Sequence, residues 1–140
     1  MVELSMDEKI ALSNTRFEKS REMLSDSLTA LRTGMFKTSI NRSYYAVLHA
    51  ARSLLILKGI DPVRHDTVKT MLSLHFIKPK LLPQDTIKIF KNLLSLRTDV
   101  DYGDFETVER NDAREAIKQA KLFLKQIQIT RKKLLKELFY

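Results

Sequence analysis

The chain has no cysteine, so disulfides, thiolate metal sites and a cysteine nucleophile are excluded. Glycine and proline are scarce, three of each in 140 residues. They fall at Gly34, Gly59, Pro62, Pro79, Pro83 and Gly103, where they punctuate longer segments rather than saturate the chain. Every apolar stretch falls far short of the roughly 20 residues that a membrane helix needs, so no membrane association is expected. Met1 to Arg16 mixes acids, bases and apolar residues without the apolar centre of a secretory leader. The cytoplasm is therefore the expected compartment. The acids Asp99, Asp101 and Asp104 lack the spacing of a calcium loop and its closing glutamate, and no metal or other cofactor is expected.

What is present is enough for one core. Hydrophobic residues make up 44% of the sequence, and no linker, repeat or low-complexity tract divides it, so residues 1–140 read as a single domain. The net charge is +8, which favours an anionic partner through attraction that salt would screen. Much of it sits late: between Lys118 and Glu137 there are seven bases against one acid.

Apolar residues recur at helical spacing almost throughout, and no segment alternates as a half-buried strand does. Ser5 and Glu8 form a capping-box pattern for a first helix that exits at Gly34. A second helix is predicted from about Met35 to Lys58, stopping at Gly59. A third starts at Asp61-Pro62, with Pro62 at its first helical position and Val63 opening its apolar run, and Pro79 ends it. A fourth runs from near Pro83 toward Arg97. After a loop around Asp101 to Asp104, with Gly103 as a positive-φ helix exit, Asn111 is expected to cap a long final helix reaching about Leu138. Short connections between long helices make neighbours antiparallel. The expected fold is all-α, an up-and-down bundle of four to five helices.

The second predicted helix carries an unusual polar cluster. At about 100° per residue, Arg42, Tyr45 and His49 share one face, with Arg52 further round. A cation, a phenol and an imidazole along one stripe can bind phosphate and move a proton. The same residues also suit an ordinary amphipathic face whose polar tips reach a neighbouring helix. His65, at the start of the third helix and near the same end of the bundle, reads as a capping or solvent-facing residue ahead of a catalytic one, and His75 as structural. A half-buried arginine needs an acidic partner, and Asp101 is the acid expected to share a groove with Arg42, Tyr45, His49 and Arg97.

The segment from Ser39 through Arg52 to Leu55, then Lys58-Gly59, His65, and later Leu96-Arg97 with Asp101 to Asp104, resembles the HEPN family, in its short stand-alone branch. The likeness runs over roughly residues 5–127. It implies a helical bundle that forms a homodimer and pairs with a minimal nucleotidyltransferase-type antitoxin. It also implies toxin activity on RNA as a metal-independent endoribonuclease, through an arginine followed four to six residues later by a histidine. Arg42 and His49 satisfy that pattern as text. The family's nuclease motif, however, lies later, at Arg97, where active members carry a histidine five positions on and often a tyrosine two beyond it. Here Tyr102 stands in the histidine place and Asp104 in the tyrosine place. Arg97 thus inherits a phosphate-binding role, while the acid–base group is missing from its usual position.

Two readings stay open. In one, His49, Arg42 and Arg97 carry catalysis, and Tyr45, Arg52, Asp101 and Tyr102 contribute to binding. In the other, the chain is a non-catalytic adaptor or substrate-binding subunit of a nucleotidyltransferase, or a basic RNA-binding bundle. From about residue 128 the final helix is expected to extend beyond the bundle, with Arg131, Lys132 and Lys133 in solvent.

Overall fold

The capping box forms as its spacing suggests: Ser5 Oγ accepts from Glu8 N at 3.2 Å, and Glu8 Oε1 accepts from Ser5 N at 3.0 Å. It opens the first helix of a computed structural model that describes residues 3–103 and 107–139. Among the described residues there are five α-helices and no strand. They are α1 (Met6–Arg32), α2 (Phe36–Leu55), α3 (His65–Leu72), α4 (Gln84–Tyr102) and α5 (Arg110–Phe139). A turn of 3-10 helix (Ile56–Lys58) prolongs α2, and a wide helical turn (Ser73–Ile77) prolongs α3.

Three helical exits share one device. After α1, Gly34 N donates to Leu31 O at 3.2 Å and Met35 N to Ala30 O at 2.8 Å, with Gly34 at φ +76°. Gly59 repeats this after the 3-10 turn, satisfying carbonyls that a helix end leaves free. Lys80 does the same job after the wide turn, at φ 64°. A residue with a Cβ there is strained.

Side-chain pairs fix the topology. Ser13 Oγ donates to Ser53 O, and Ser27 Oγ to Ser39 O at 2.7 Å, so α1 and α2 run antiparallel. Arg97 meets Tyr45 and Asp101 meets Asn41, which sets α4 antiparallel to α2. Thr86 bonds Gln126 and Thr130 bonds Leu81 just before α4, so α5 runs antiparallel to α4. The result is the expected up-and-down bundle, with the short α3 bridging between α2 and α4.

The second helix is central, packing on α1, α3, α4 and α5. Its Ile40, Tyr44, Val47 and Leu54 are fully buried together with Phe76, Phe90, Phe123 and Ile127 from the surrounding elements. On α1 the residues at seven-residue spacing facing α2 are Ser13, Ser20 and Ser27, all fully buried. Small side chains at that spacing keep two helices in register at close range, and their hydroxyls must find acceptors. Ser27 Oγ lies 2.7 Å from Ser43 Oγ as well, and Ser39 Oγ donates back to Ser27 O at 2.9 Å.

Several boundaries differ from the sequence reading. The third helix starts at His65, three residues beyond Pro62, and Val63 is 79% exposed. Asp61 is tied to arginines of α1 and α2, and the chain runs extended to Arg64 before it turns helical. Asp101 and Tyr102 belong to the last turn of α4 rather than to a loop. Gly103 is extended (φ −97°, ψ −177°), not left-handed. What it supplies is the absence of a side chain, since a Cβ would lie 2.8 Å from Asp99 O. Asn111 sits inside α5; the side chain that closes that helix start is Asp112, whose Oδ2 accepts from Glu109 N at 2.9 Å. Past Ile127 the final helix keeps packing: Thr130 bonds Leu81 O, and Leu134 rests on the core. Arg131, read as solvent-facing, turns inward to donate to Asn14 Oδ1 at 2.7 Å and to Ser13 Oγ at 3.2 Å. Its guanidinium also covers the Phe17 ring. Helical phase explains this, because residue 131 follows 120, 124 and 127 on the buried face.

Candidate functional site

Arg97 is the hub of a polar network between α2 and α4. It sits one turn before the end of α4, and its side chain is only 15% exposed. Asp101, four residues on and hence on the same helix face, places Oδ2 at 2.9 Å from Arg97 Nε. Arg97 Nη2 donates to Tyr45 Oη at 2.9 Å. The guanidinium also lies over aromatic rings, 5.4 Å from the Tyr45 centroid, 5.5 Å from Tyr102 and 5.8 Å from Tyr44. From Asp101 the network continues to Asn41 Nδ2 at 3.2 Å, and Asn41 Oδ1 accepts from Arg42 Nη1 at 2.9 Å. Arg42 thereby borders an open depression of about 350 Å³ with Lys37, Thr38, Asn41, Val100 and Asp101.

Two imidazoles adjoin Tyr45. The His49 ring, one turn along α2, is 6.4 Å from the Tyr45 ring between centroids. The His65 ring, from the first turn of α3, is 6.1 Å from Tyr45 and 5.4 Å from Tyr44. Both histidines are half-buried, and in both burial is the main force disfavouring the charged form. For His49, Lys19, Arg52 and Arg16 add to that, holding the imidazole at about 4. For His65, Arg97 and Arg52 push the same way, and Asp66 opposes them. The Tyr44 phenol is driven upward by burial, and its hydroxyl has no hydrogen-bond partner among the described residues.

A second arginine station closes the far end. Arg16 of α1 and Arg52 of α2 reach the same oxygen of Asp61, at 2.9 Å and 3.2 Å. Burial raises the Asp61 carboxyl, but the two guanidiniums outweigh it and leave the group below its ordinary value. One carboxylate faces two arginines there, with Lys19 near His49, so the surplus charge is positive.

The expected shared groove is thus partly realised by direct contact. Arg97, Asp101, Tyr45 and Tyr102 touch, and Arg42 joins through Asn41. His49 adjoins Tyr45, but its charged neighbours are those of the Arg52 end. Tyr102 is 77% exposed and lies over Arg97; Asp104, in the family's tyrosine place, lies outside the described residues. Asp101 is committed to Arg97 and Asn41, and so is spent as a cation ligand. Sequence reasoning named neither Asn41 nor Arg16 as a site residue and ranked a catalytic role for His65 second. The adjacent Asn41-Arg42 pair offered some signal, whereas His65 and Arg16 reach the site only through the packing of α1 and α3 on α2.

Comparison with known proteins agrees with this architecture. A model of the HEPN domain matches residues 13–130. A protein of Methanocaldococcus jannaschii named "Putative toxin MJ0605" is 29% identical over 86% of this chain and 87% of its own length. A UPF0332 protein of Thermotoga maritima is 26% identical over 88% and 93%. Another, PH1297 of Pyrococcus horikoshii, is 47% identical over 41% of either chain. Among solved structures, TT1696 from Thermus thermophilus superposes with a TM-score of 0.71, covering 84% of this chain and 97% of that one at 18% identity, a likeness of fold. With the domain match spanning most of its 140 residues, the chain belongs to the HEPN family.

Proposed function

We propose that this protein is a toxin-like effector that cleaves RNA without a metal ion, held in check by a minimal nucleotidyltransferase-type antitoxin. The observation that carries this reading is the convergence of Arg97 with Tyr45, which two half-buried imidazoles adjoin, on a surface with surplus positive charge. Cleavage of a phosphodiester by its own 2′-hydroxyl needs a group to take that proton and charge to stabilise the pentavalent phosphorus. Arg97, fixed by Asp101 and Tyr45, is the phosphate anchor. His49 is uncharged near neutral pH because burial and three cations hold it so, and it is the base. Arg42 and Arg52 meet neighbouring phosphates. The relatives' toxin names support the broader class.

The decisive test is cleavage of an oligoribonucleotide in EDTA by the purified full chain. Wild type cleaves, Arg97→Ala is strongly impaired, and co-expression with the nucleotidyltransferase partner relieves growth arrest. Persistent absence of cleavage with intact RNA binding favours the adaptor reading, which the full engagement of Arg97 by protein groups also suits. The working unit is a dimer, checked by light scattering.

A further inference from the structure

His65 stands outside the arginine–histidine nuclease pattern, yet the fold brings it to the hub of the site. The 3-10 turn after α2 and the extended run from Ile60 to Arg64 lay the start of α3 against α2, so that His65 packs on both Tyr44 and Tyr45. Arg97 packs on the same two rings from α4. His65 and His49 thus both adjoin the Tyr45 ring, at 6.1 and 6.4 Å between centroids, and the Arg97 guanidinium is bonded to its phenol.

An in-line displacement at phosphorus places the attacking and departing oxygens on opposite sides of the phosphate. It takes two proton carriers, and two imidazoles adjoin the tyrosine that holds the phosphate anchor. The two imidazoles also differ in their surroundings. Burial, with Lys19, Arg52 and Arg16 around it, keeps His49 unprotonated near neutral pH, with its ring nitrogen free to take a proton. For His65, burial, Arg97 and Arg52 disfavour the protonated form, and Asp66 beside it, a carboxylate that His49 lacks, opposes them. A phosphate docked on Arg97 cancels part of that guanidinium's effect, so substrate binding itself favours a protonated His65.

We propose that His65 is the general acid that protonates the departing 5′-oxygen, filling from α3 the role that Tyr102 leaves vacant at the end of α4. This rests on the RNA-cleavage reading. The His49 imidazole takes the 2′-hydroxyl proton, the 2′-oxygen bonds to phosphorus, and the bond from phosphorus to the 5′-oxygen breaks. That oxygen receives the His65 proton. The products are a 2′,3′-cyclic phosphate and a 5′-hydroxyl, with His49 protonated and His65 neutral; exchange with solvent restores both.

The test compares two oligoribonucleotides that differ in one atom, the bridging 5′-oxygen or a sulfur in its place. A thiolate leaves without help from an acid. On the oxygen substrate His65→Ala lowers the rate by about 10²–10⁴-fold, whereas on the sulfur substrate it loses no more than about tenfold. His49→Ala is impaired on both. His65→Gln keeps a polar side chain of similar reach without titrating, and it must reproduce the same split; its thermal unfolding is compared with wild type. Equal loss on both substrates, or no loss on either, overturns the assignment while leaving the nuclease reading standing. A wild type that cleaves neither substrate removes both.

Discussion

Arg97 Nη2 donates to Tyr45 Oη at 2.9 Å, and the same guanidinium meets Asp101 through Nε. An arginine held at both ends is pre-oriented, and the entropy of ordering it is spent in folding rather than on binding an anion. Asp101→Asn removes the charge and keeps the shape. Arg97 then loses its counter-ion, and stability should fall by about 1–3 kcal/mol. RNA cleavage should drop in kcat more than it shifts KM. Chemical denaturation and steady-state kinetics check the two parts separately, and an unchanged kcat would remove Asp101 from the positioning of Arg97.

The state of His49 makes stability depend on pH with a definite sign. Its folded value is about 4, against an unfolded value of about 6.5. Between these, the unfolded chain binds a proton that the folded chain refuses, so stability falls as pH is lowered through that window. Below about 4 this group adds no further loss. His49→Gln should flatten the stability profile between about pH 6.5 and 5, above the main carboxylate range. Lys19→Gln should raise the imidazole's pKa, read from its proton chemical shift against pH. A shift in the opposite direction would contradict the cation cluster.

Lys80 holds φ 64° to close the helical turn before α4. Glycine adopts that conformation without the Cβ clash. Lys80→Gly should therefore stabilise the protein by about 1 kcal/mol, visible as a higher melting temperature. A lower melting temperature would show that the Lys80 side chain has a compensating role.

The end of α5 separates packing from charge. Arg131 is tied to Asn14 and Ser13, so Arg131→Ala should destabilise the bundle. Lys132, Lys133 and Lys136 are exposed. Replacing all three by glutamine should leave stability nearly unchanged and make the salt dependence of RNA binding shallower, by about 0.7 in log–log slope for each phosphate no longer neutralised. A slope equal to wild type assigns those lysines to solubility alone.

Much of the candidate site was legible because helical phase is a local property. Arg42, Tyr45 and His49 share a stripe by spacing alone, and Asp101 follows Arg97 by one turn. Where the stripe points is another matter. Arg42 reaches the hub only through Asn41, and His49 shares its charged neighbours with Arg52 more than with Arg97. A helix face spans several directions, and the partner helices select among them.

By itself the sequence determined the all-α class, the number of long helices, the capping box at Ser5 and the glycine exits at Gly34 and Gly59. Each follows from periodicity or from a hydrogen bond within a few residues. It also carried the surplus charge and the Arg97 motif with Tyr102 in the histidine place. Only the tertiary structure decided that Ser13, Ser20 and Ser27 seat α1 on α2, that Arg131 turns inward, and that His65 joins Tyr44, Tyr45 and Arg97. Those contacts link residues from 12 to 118 positions apart. Their partners are chosen by which helix faces fit together when the core closes, and that choice is made over the whole chain at once.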